Sequence, residues 1–317
     1  MLNLVYNEWI KIFKRISTFL MIGMILLVVI ASGIFMKTYE AKNKTPEQDW
    51  QPVLITKNEE AKQRLAEAPD TQMLVKQSLE KEIAINEYRL KHELPPQTKN
   101  STWSFLIDSS SIINFVGLFT IVIAGGVVAN EFSWGTIKLL LIRPISRTKI
   151  LLSKYLTVLL FGICLMTIVF ISAAVTGALL FGAEEGANIH LSYSGGEVVE
   201  KGMFPYAIST YLLGSIQVLM LTTMAFMISA VFRTSSLAIG VSIFLLLMGG
   251  TITNLIAIKF DWAKYSLFAN TDLSQYIDGV PLVDGMTFSF SIFVLLAYFL
   301  IFHLLAFVVF HKRDVAA

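Results

Sequence analysis

YLTVLLFGICLMTIVFISAAVTGALLF, the stretch from Tyr155 to Phe181, contains no Asp, Glu, Lys or Arg. At 1.5 Å of rise per residue, about twenty such residues cross the ~30 Å hydrocarbon core of a bilayer. Within that core a backbone N–H or C=O finds a partner only inside its own segment, so a helix follows almost by necessity. Five further stretches share the pattern: Ser17–Met36, Ser111–Asn130, Tyr206–Phe232, Leu237–Ile258 and Thr287–Phe310. Tyr155–Phe181 and Tyr206–Phe232 exceed the required length and have room to tilt. The expected fold is an all-α polytopic membrane protein with six transmembrane helices.

Composition agrees with that reading. The 317 residues are 55% hydrophobic and 15% charged, with a mean hydropathy of +0.66, too apolar to clothe a soluble surface. A formal charge of +2 gives no reason to expect a nucleic-acid partner. The single cysteine, Cys164, lies inside an apolar run and has no partner for an internal disulfide. No cleavable signal peptide is expected, because the first apolar run is long enough to span.

Orientation follows from Lys and Arg in the short connections. Lys11, Lys14 and Arg15 precede the first span; Lys138, Arg143, Arg147, Lys149 and Lys154 lie between the second and third. Arg233 separates the fourth and fifth, and Lys312 and Arg313 follow the sixth. The short connections on the other side hold Lys201, Lys259 and Lys264 beside many acids. Both termini are therefore expected in the cytoplasm, with the protein multi-pass in the cell membrane.

The remaining segments divide accordingly. Residues 1–16 read as an interfacial amphipathic helix, with Leu2, Tyr6, Trp9, Phe13 and Ile16 on one face and Lys11, Lys14 and Arg15 on the other. Residues 37–110 form a helical extracytoplasmic insertion. Ile55–Ala68 and Asp70–Leu94 are its helices, parted by Pro69, capped by Asp70 and ended by Pro95 and Pro96. Glu60/Arg64 and Glu87/Lys91 have favourable i,i+4 spacing, and a seam of Leu79, Ile83, Asn86 and Leu90, extended by Val75 and Leu94, predicts packing as a hairpin. Residues 131–149 are a cytoplasmic loop, 150–181 the third span with its lead-in, 182–205 an outer loop and 311–317 a cytoplasmic tail. Residues 259–286, with Phe260, Trp262, Tyr265, Phe268 and Tyr276 among Asp261, Asp272, Asp278 and Asp284, read as re-entrant or interfacial outer helices.

Catalytic chemistry is hard to find. A phosphate-binding G-x-x-x-x-G-K-[ST] loop and a Rossmann fingerprint are both absent, and His92, His190, His303 and His311 form no metal-ligand spacing. His303 is the one ionisable group read inside a span, without an acidic partner there. Asn114, Gln217 and Asn254 suit hydrogen bonds between helices rather than acid–base work. No cofactor or metal is expected on this chain.

The inner connection after the second span is the most informative. From Glu131 it reads EFSWGTIKLLLIRPISRTKILLSK to Lys154. Ser133 is expected to cap a short helix running to Ile142, Pro144 to stop it, and Ser146 to cap the next span. This connection, E-x-x-x-G-T-I-K-x-L-L-x-R-P-I-S-R-x-K-I-L-x-S-K, resembles the membrane subunit of ABC-2 type transporters, specifically bacterial permeases encoded apart from their ATPase. The segment NEWIKIFKR, Asn7–Arg15, and the six-span layout with a large first outer loop fit the same resemblance.

That resemblance implies a permease subunit of an ATP-driven exporter, with ATP and Mg2+ bound by a separate ATP-binding subunit and a second permease chain completing the pathway in the lipid bilayer. Glu131, Ser133, Gly135, Thr136, Lys138, Arg143, Pro144, Arg147 and Lys149 would form the element coupled to the ATPase, with residues 1–16 as a connecting helix. The second and fifth spans would line the dimer interface. This makes Asn114, Gly117, Gly125, Gly126, Gly249, Gly250 and Asn254 candidates for the translocation path, although glycines there also serve close helix packing. The apolar spans favour an amphipathic or hydrophobic cargo over a small ion. The alternative function is a membrane sensor whose extracytoplasmic insertion binds a ligand. A membrane-embedded enzyme would need catalytic groups that the spans lack.

Overall fold

The computed structural model describes residues 1–42, 50–69, 73–96, 101–136, 144–182, 189–194, 196–232, 234–277 and 281–312. The long helices are α1 (Leu2–Phe13), α2 (Ile16–Lys42), α3 (Trp50–Glu67) and α4 (Met73–Lys91), then α8 (Arg147–Phe181), α9 (Met203–Phe232), α10 (Ser235–Ala257) and α12 (Phe288–Lys312). Between α4 and α8 lie α5 (Thr102–Asp108), α6 (Ile113–Val127) and α7 (Ala129–Ser133), and the short α11 (Leu267–Asn270) precedes α12.

Six helical stretches are long and apolar enough to span: Ile16–Tyr39, Thr102–Ser133, Arg147–Phe181, Met203–Phe232, Ser235–Ala257 and Phe288–Lys312. Each coincides, to within a residue, with or contains one of the apolar runs read from the sequence, so the protein is a helical, multi-pass membrane protein. The second span starts earlier than the charge-free run, at Thr102, and is jointed. A 3₁₀ turn at Ser109–Ile112 separates α5 from α6, and Val128 separates α6 from α7. The helices run past the charge-free stretches, so Asp108 and Glu131 lie on the helical stretch of the second span and Lys154 on that of the third.

The second and fourth spans form the centre, burying Val116, Ile121, Ala124, Ala225 and Phe226. The first and sixth expose most of their length, as do the outward faces of α8 and α10. Gly33 lets α2 approach α8 closely: a Cβ there would lie 2.8 Å from Leu180 and 2.9 Å from Thr176.

At the end of the bundle away from α1, α3 and α4 pack as an antiparallel hairpin. Leu54, Asn58, Ala61, Leu79 and Asn86 are buried in its seam, whereas Val75 is exposed. Glu87 pairs with Lys62 across the hairpin at 2.7 Å, so its nearest cation lies on the neighbouring helix. The expected Asp70 cap lies outside the described residues. The stretch 182–205, read as a loop, holds a β-hairpin: β1 (Ile189–Ser194) pairs antiparallel with β2 (Glu197–Gly202), in a register that puts Ile189 opposite Gly202. Its physical signature was the alternation on both sides of Gly195 and Gly196, the second of which takes φ +91°. Tyr88 on α4 donates to Glu200 on β2 at 3.2 Å, and Ser192 donates to the Ile277 carbonyl at 3.0 Å, which gathers these pieces into one cap.

Residues 259–286 fold as 3₁₀ turns at Asp261–Tyr265 and Leu273–Tyr276 flanking α11. Asn270 is fully buried and holds this segment together. Its amide donates to the Lys264 and Ser266 carbonyls, both at 2.7 Å, and its Oδ1 accepts from Ser291 at 2.6 Å.

Candidate functional site at a four-charge joint

The functional reading centres on the end of the bundle that carries α1. Helix α1 places Trp9, Ile12 and Phe13 against the core and leaves Leu2 and Tyr6 outward, and Ile16 is exposed at the start of α2, so the expected apolar face is split between protein and surroundings. The chain turns at Lys14 and Arg15 into α2, and Thr18 fixes that elbow by donating to the Ile12 carbonyl at 2.6 Å. The Val5 carbonyl accepts from Thr157 of α8 at 3.3 Å, which anchors the start of α1.

Helix α8 starts where its caps dictate. Ser146 accepts from the Lys149 N–H at 3.4 Å, and Pro144 stands just outside. Its 35 residues reach about 52 Å, well beyond the ~30 Å core, so its opening turns belong at the membrane boundary. Lys154 lies in those turns with its side chain only 3% exposed.

Its ammonium meets two carboxylates. Lys154 Nζ lies 2.8 Å from Glu8 Oε2 on α1 and 2.8 Å from Glu131 Oε1 on α7. Lys11 closes the ring, 2.6 Å from Glu8 Oε1 and 3.4 Å from Glu131 Oε1. Thr136 donates to Glu131 Oε2. Two cations and two anions from three helices thus form a neutral joint, with the carboxylates shielded at 11% and 12% side-chain exposure. Burial works to lower the Lys11 pKa, but the Glu8 hydrogen bond and the charges of Glu8 and Glu131 outweigh it and raise it above the ordinary 10.5.

Further contacts extend the joint to other spans. The Ala129 N–H donates to Ser229 of α9 at 3.0 Å, and Phe132 meets Phe310 of α12 at 6.3 Å. Arg147 donates to the His311 carbonyl at 3.2 Å, and the Arg15 guanidinium lies 5.7 Å from the centre of the Trp134 ring.

Among the residues anticipated for coupling, Glu131 and Thr136 sit in this joint. Ser133 differs from expectation: its hydroxyl bonds back to the Ala129 carbonyl at 3.1 Å, so it closes α7 instead of opening a new helix. Gly135, at φ +70°, turns the chain out of α7, a conformation that glycine adopts without steric cost. Arg147 reaches α12, and Lys149 and Pro144 are exposed. Lys138 and Arg143, with most of the helix expected to run to Ile142, lie outside the described residues.

The path candidates separate into two groups. Gly125, Gly126 and Gly249 are contact points, where an added Cβ would approach Ile239 at 2.7 Å, Asn130 at 2.7 Å and the Phe268 ring at 2.5 Å. Gly117 has only ordinary contact with Leu246, and Gly250 faces open space. Asn114 and Asn254 are exposed, with Asn114 accepting from Gln217 at 3.4 Å.

Glu8 and the pairing of Lys154 were missed by sequence reasoning. The available signals were slight: Glu8 is the sole acid before Glu40, and Lys154 interrupts an otherwise apolar pattern between Leu152 and Tyr155. Among the described residues, no three His, Cys, Asp or Glu side chains gather as metal ligands. The joint offers ionic rigidity, each carboxylate being held by both Lys11 and Lys154.

The profile of a family described as "Protein of unknown function (DUF2705)" matches residues 71–316. Two proteins of Bacillus subtilis (strain 168) are similar. YhcI, called an uncharacterized protein, is 50% identical over 318 residues and 100% of both chains. YdbK, called an uncharacterized membrane protein, is 34% identical over 200 residues, covering 62% of this chain and 76% of its own. The family match spans most of the chain, Glu131 and Lys154 included, and the chain belongs to the DUF2705 family.

Proposed function

We propose that this chain is the permease subunit of an ATP-driven ABC-2 type exporter, forming half of a translocation pathway and moved by a separate ATP-binding subunit. The observation that carries the reading is the four-charge joint, because it binds the connection after the second span to α1 and to the root of the third span. A displacement applied to that connection is passed to both helices instead of being absorbed by a loose loop.

In this reading the joint and both termini lie in the cytoplasm, which the Lys and Arg of the short connections support. ATP and Mg2+ belong to the partner subunit. Closure of two such partners would drive the connections of two permease chains and rock their spans between inward and outward access. Exposed Asn254 on an apolar span favours a second permease chain over lipid as its neighbour, since an amide facing hydrocarbon is costly.

The test is co-purification with a candidate ATP-binding subunit, followed by Glu131→Ala and Arg143→Ala. Transport-coupled ATP hydrolysis is expected to fall at least several-fold while membrane insertion persists. Unchanged coupling in both variants would remove this loop from the mechanism.

A further inference from the structure

The second span is mostly buried, yet it lies open where α5 meets α6. Asp108, Ser111, Asn114 and Phe115, on either side of and within the 3₁₀ turn, are all exposed. Hydrogen bonds tie the polar members into one strip. Ser111 Oγ donates to the Asp108 carbonyl at 2.8 Å, and Asn114 Nδ2 donates to the Ser111 carbonyl at 3.2 Å. Gln217 of α9 extends the strip by donating to Asn114 Oδ1 at 3.4 Å, and Phe115, 39% exposed, borders it.

Asp108 is the one charge on this strip. Glu8, Glu87 and Glu131 are each paired with a lysine, whereas the Asp108 carboxylate meets no cation and no hydrogen-bond donor among the described residues. Nor does it stand at the helix ends, where water would serve it. Tyr211 donates to the Leu106 carbonyl, and Tyr211 lies about 12 Å inside the start of α9 at Met203. One turn before Asp108, Phe105 is level with Gly33, itself inside the position of Lys37 on α2. A carboxylate at that depth is costly against hydrocarbon, so it marks a place for a counter-cation. Pairing with a second copy would repeat the same carboxylate and add no cation from this strip.

Two features choose among cations. A hard inorganic ion needs several converging oxygens. Asp108 belongs to no group of three His, Cys, Asp or Glu side chains among the described residues, and Asn114 Oδ1 is engaged by Gln217. A large organic cation needs one counter-charge and an apolar or aromatic surface, which Asp108 and Phe115 supply. We propose that Asp108, Ser111, Asn114 and Phe115 bind the organic cationic group of an amphipathic cargo. Its status as cargo rests on the transport reading; its binding is measured apart from it.

The test is equilibrium binding of tetraphenylphosphonium to the purified full chain in vesicles of neutral phospholipid. The ATP-binding subunit and a membrane potential are both left out, and protein-free vesicles are subtracted. Saturable binding is expected to weaken about five-fold in Asp108→Asn. It should persist in Asp108→Glu, and in Asp284→Asn, which removes an exposed carboxylate elsewhere. Tetraphenylborate, of the same shape and opposite charge, should respond to none of these changes. Phosphonium binding indifferent to Asp108→Asn would overturn the site. So would an equal loss in Asp284→Asn, which would reveal a general surface-charge effect. Displacement of the probe by sodium chloride but not by N-methylglucamine chloride of equal ionic strength would also overturn it, by assigning the carboxylate to an inorganic ion. A failed coupling test with the ATP-binding subunit leaves this binding result standing, so the two failures are distinguishable.

Discussion

Lys154 answers two carboxylates at once, and its nearly complete burial makes that arithmetic consequential. Lys154→Met leaves Glu8 and Glu131 with only the half-exposed Lys11 between them, and removal of one member of a buried ionic group costs about 3–5 kcal/mol. A marked drop in the melting temperature of the purified protein is expected. Adding Glu8→Gln and Glu131→Gln to that variant should recover much of the loss, which separates charge imbalance from lost packing. Lys11 is half exposed and its effect is smaller, within about 1 kcal/mol. Its pKa is raised on folding, so its stabilisation is complete below the unfolded value of 10.5 and disappears as pH climbs through the higher folded value. Lys11→Met should therefore melt earlier than the parent at neutral pH, and the gap should close as pH passes beyond 10.5. A gap that widened in alkali would reverse the assigned sign. None of this pairing was legible in sequence: Glu8 and Lys154 are 146 positions apart, and local periodicity carries no information about contacts at that separation.

Among the elements, the glycines of α10 offer a controlled comparison. Gly249 accepts the Phe268 ring, and a Cβ there would lie within 2.6 Å of three ring atoms, whereas its neighbour Gly250 meets nothing within 4 Å. Gly249→Ala must push Phe268 aside and disturb the segment that Asn270 anchors, an overpacking cost of about 1–3 kcal/mol. Gly250→Ala meets no such obstacle and gains up to about 1 kcal/mol of helix propensity. Thermal melting of the two variants in one detergent should show opposite signs; equal destabilisation would refute the Phe268 contact. The spanning helices were readable because twenty or more uncharged residues leave the backbone few alternatives. Joints within them were not. The break at Ser109–Ile112 and the end of α7 at Gly135 depend on how the second span meets α8 and α9, beyond the reach of hydropathy. The β-hairpin was readable in principle, from alternating residues around two glycines, but its polar character made it pass for an ordinary loop.

At the scale of the whole molecule, the architecture places a rigid ionic corner at one end and a cap of short elements at the other, joined by six helices. A corner that locks α1, α7 and α8 together suits an input of force, and the exposed Trp134 and Lys149 stand beside it. The central claim is that a separate ATP-binding subunit seats on this connection. A photo-activatable amino acid placed at Trp134 or at Lys149, in cells that co-express that subunit, measures the contact directly. The account predicts cross-links from both positions to the ATP-binding subunit, strengthened by trapping ATP, with a control position at Phe19 on the exposed first span giving none. Adducts to lipid alone from both positions, in an assembly that hydrolyses ATP and transports, would contradict it.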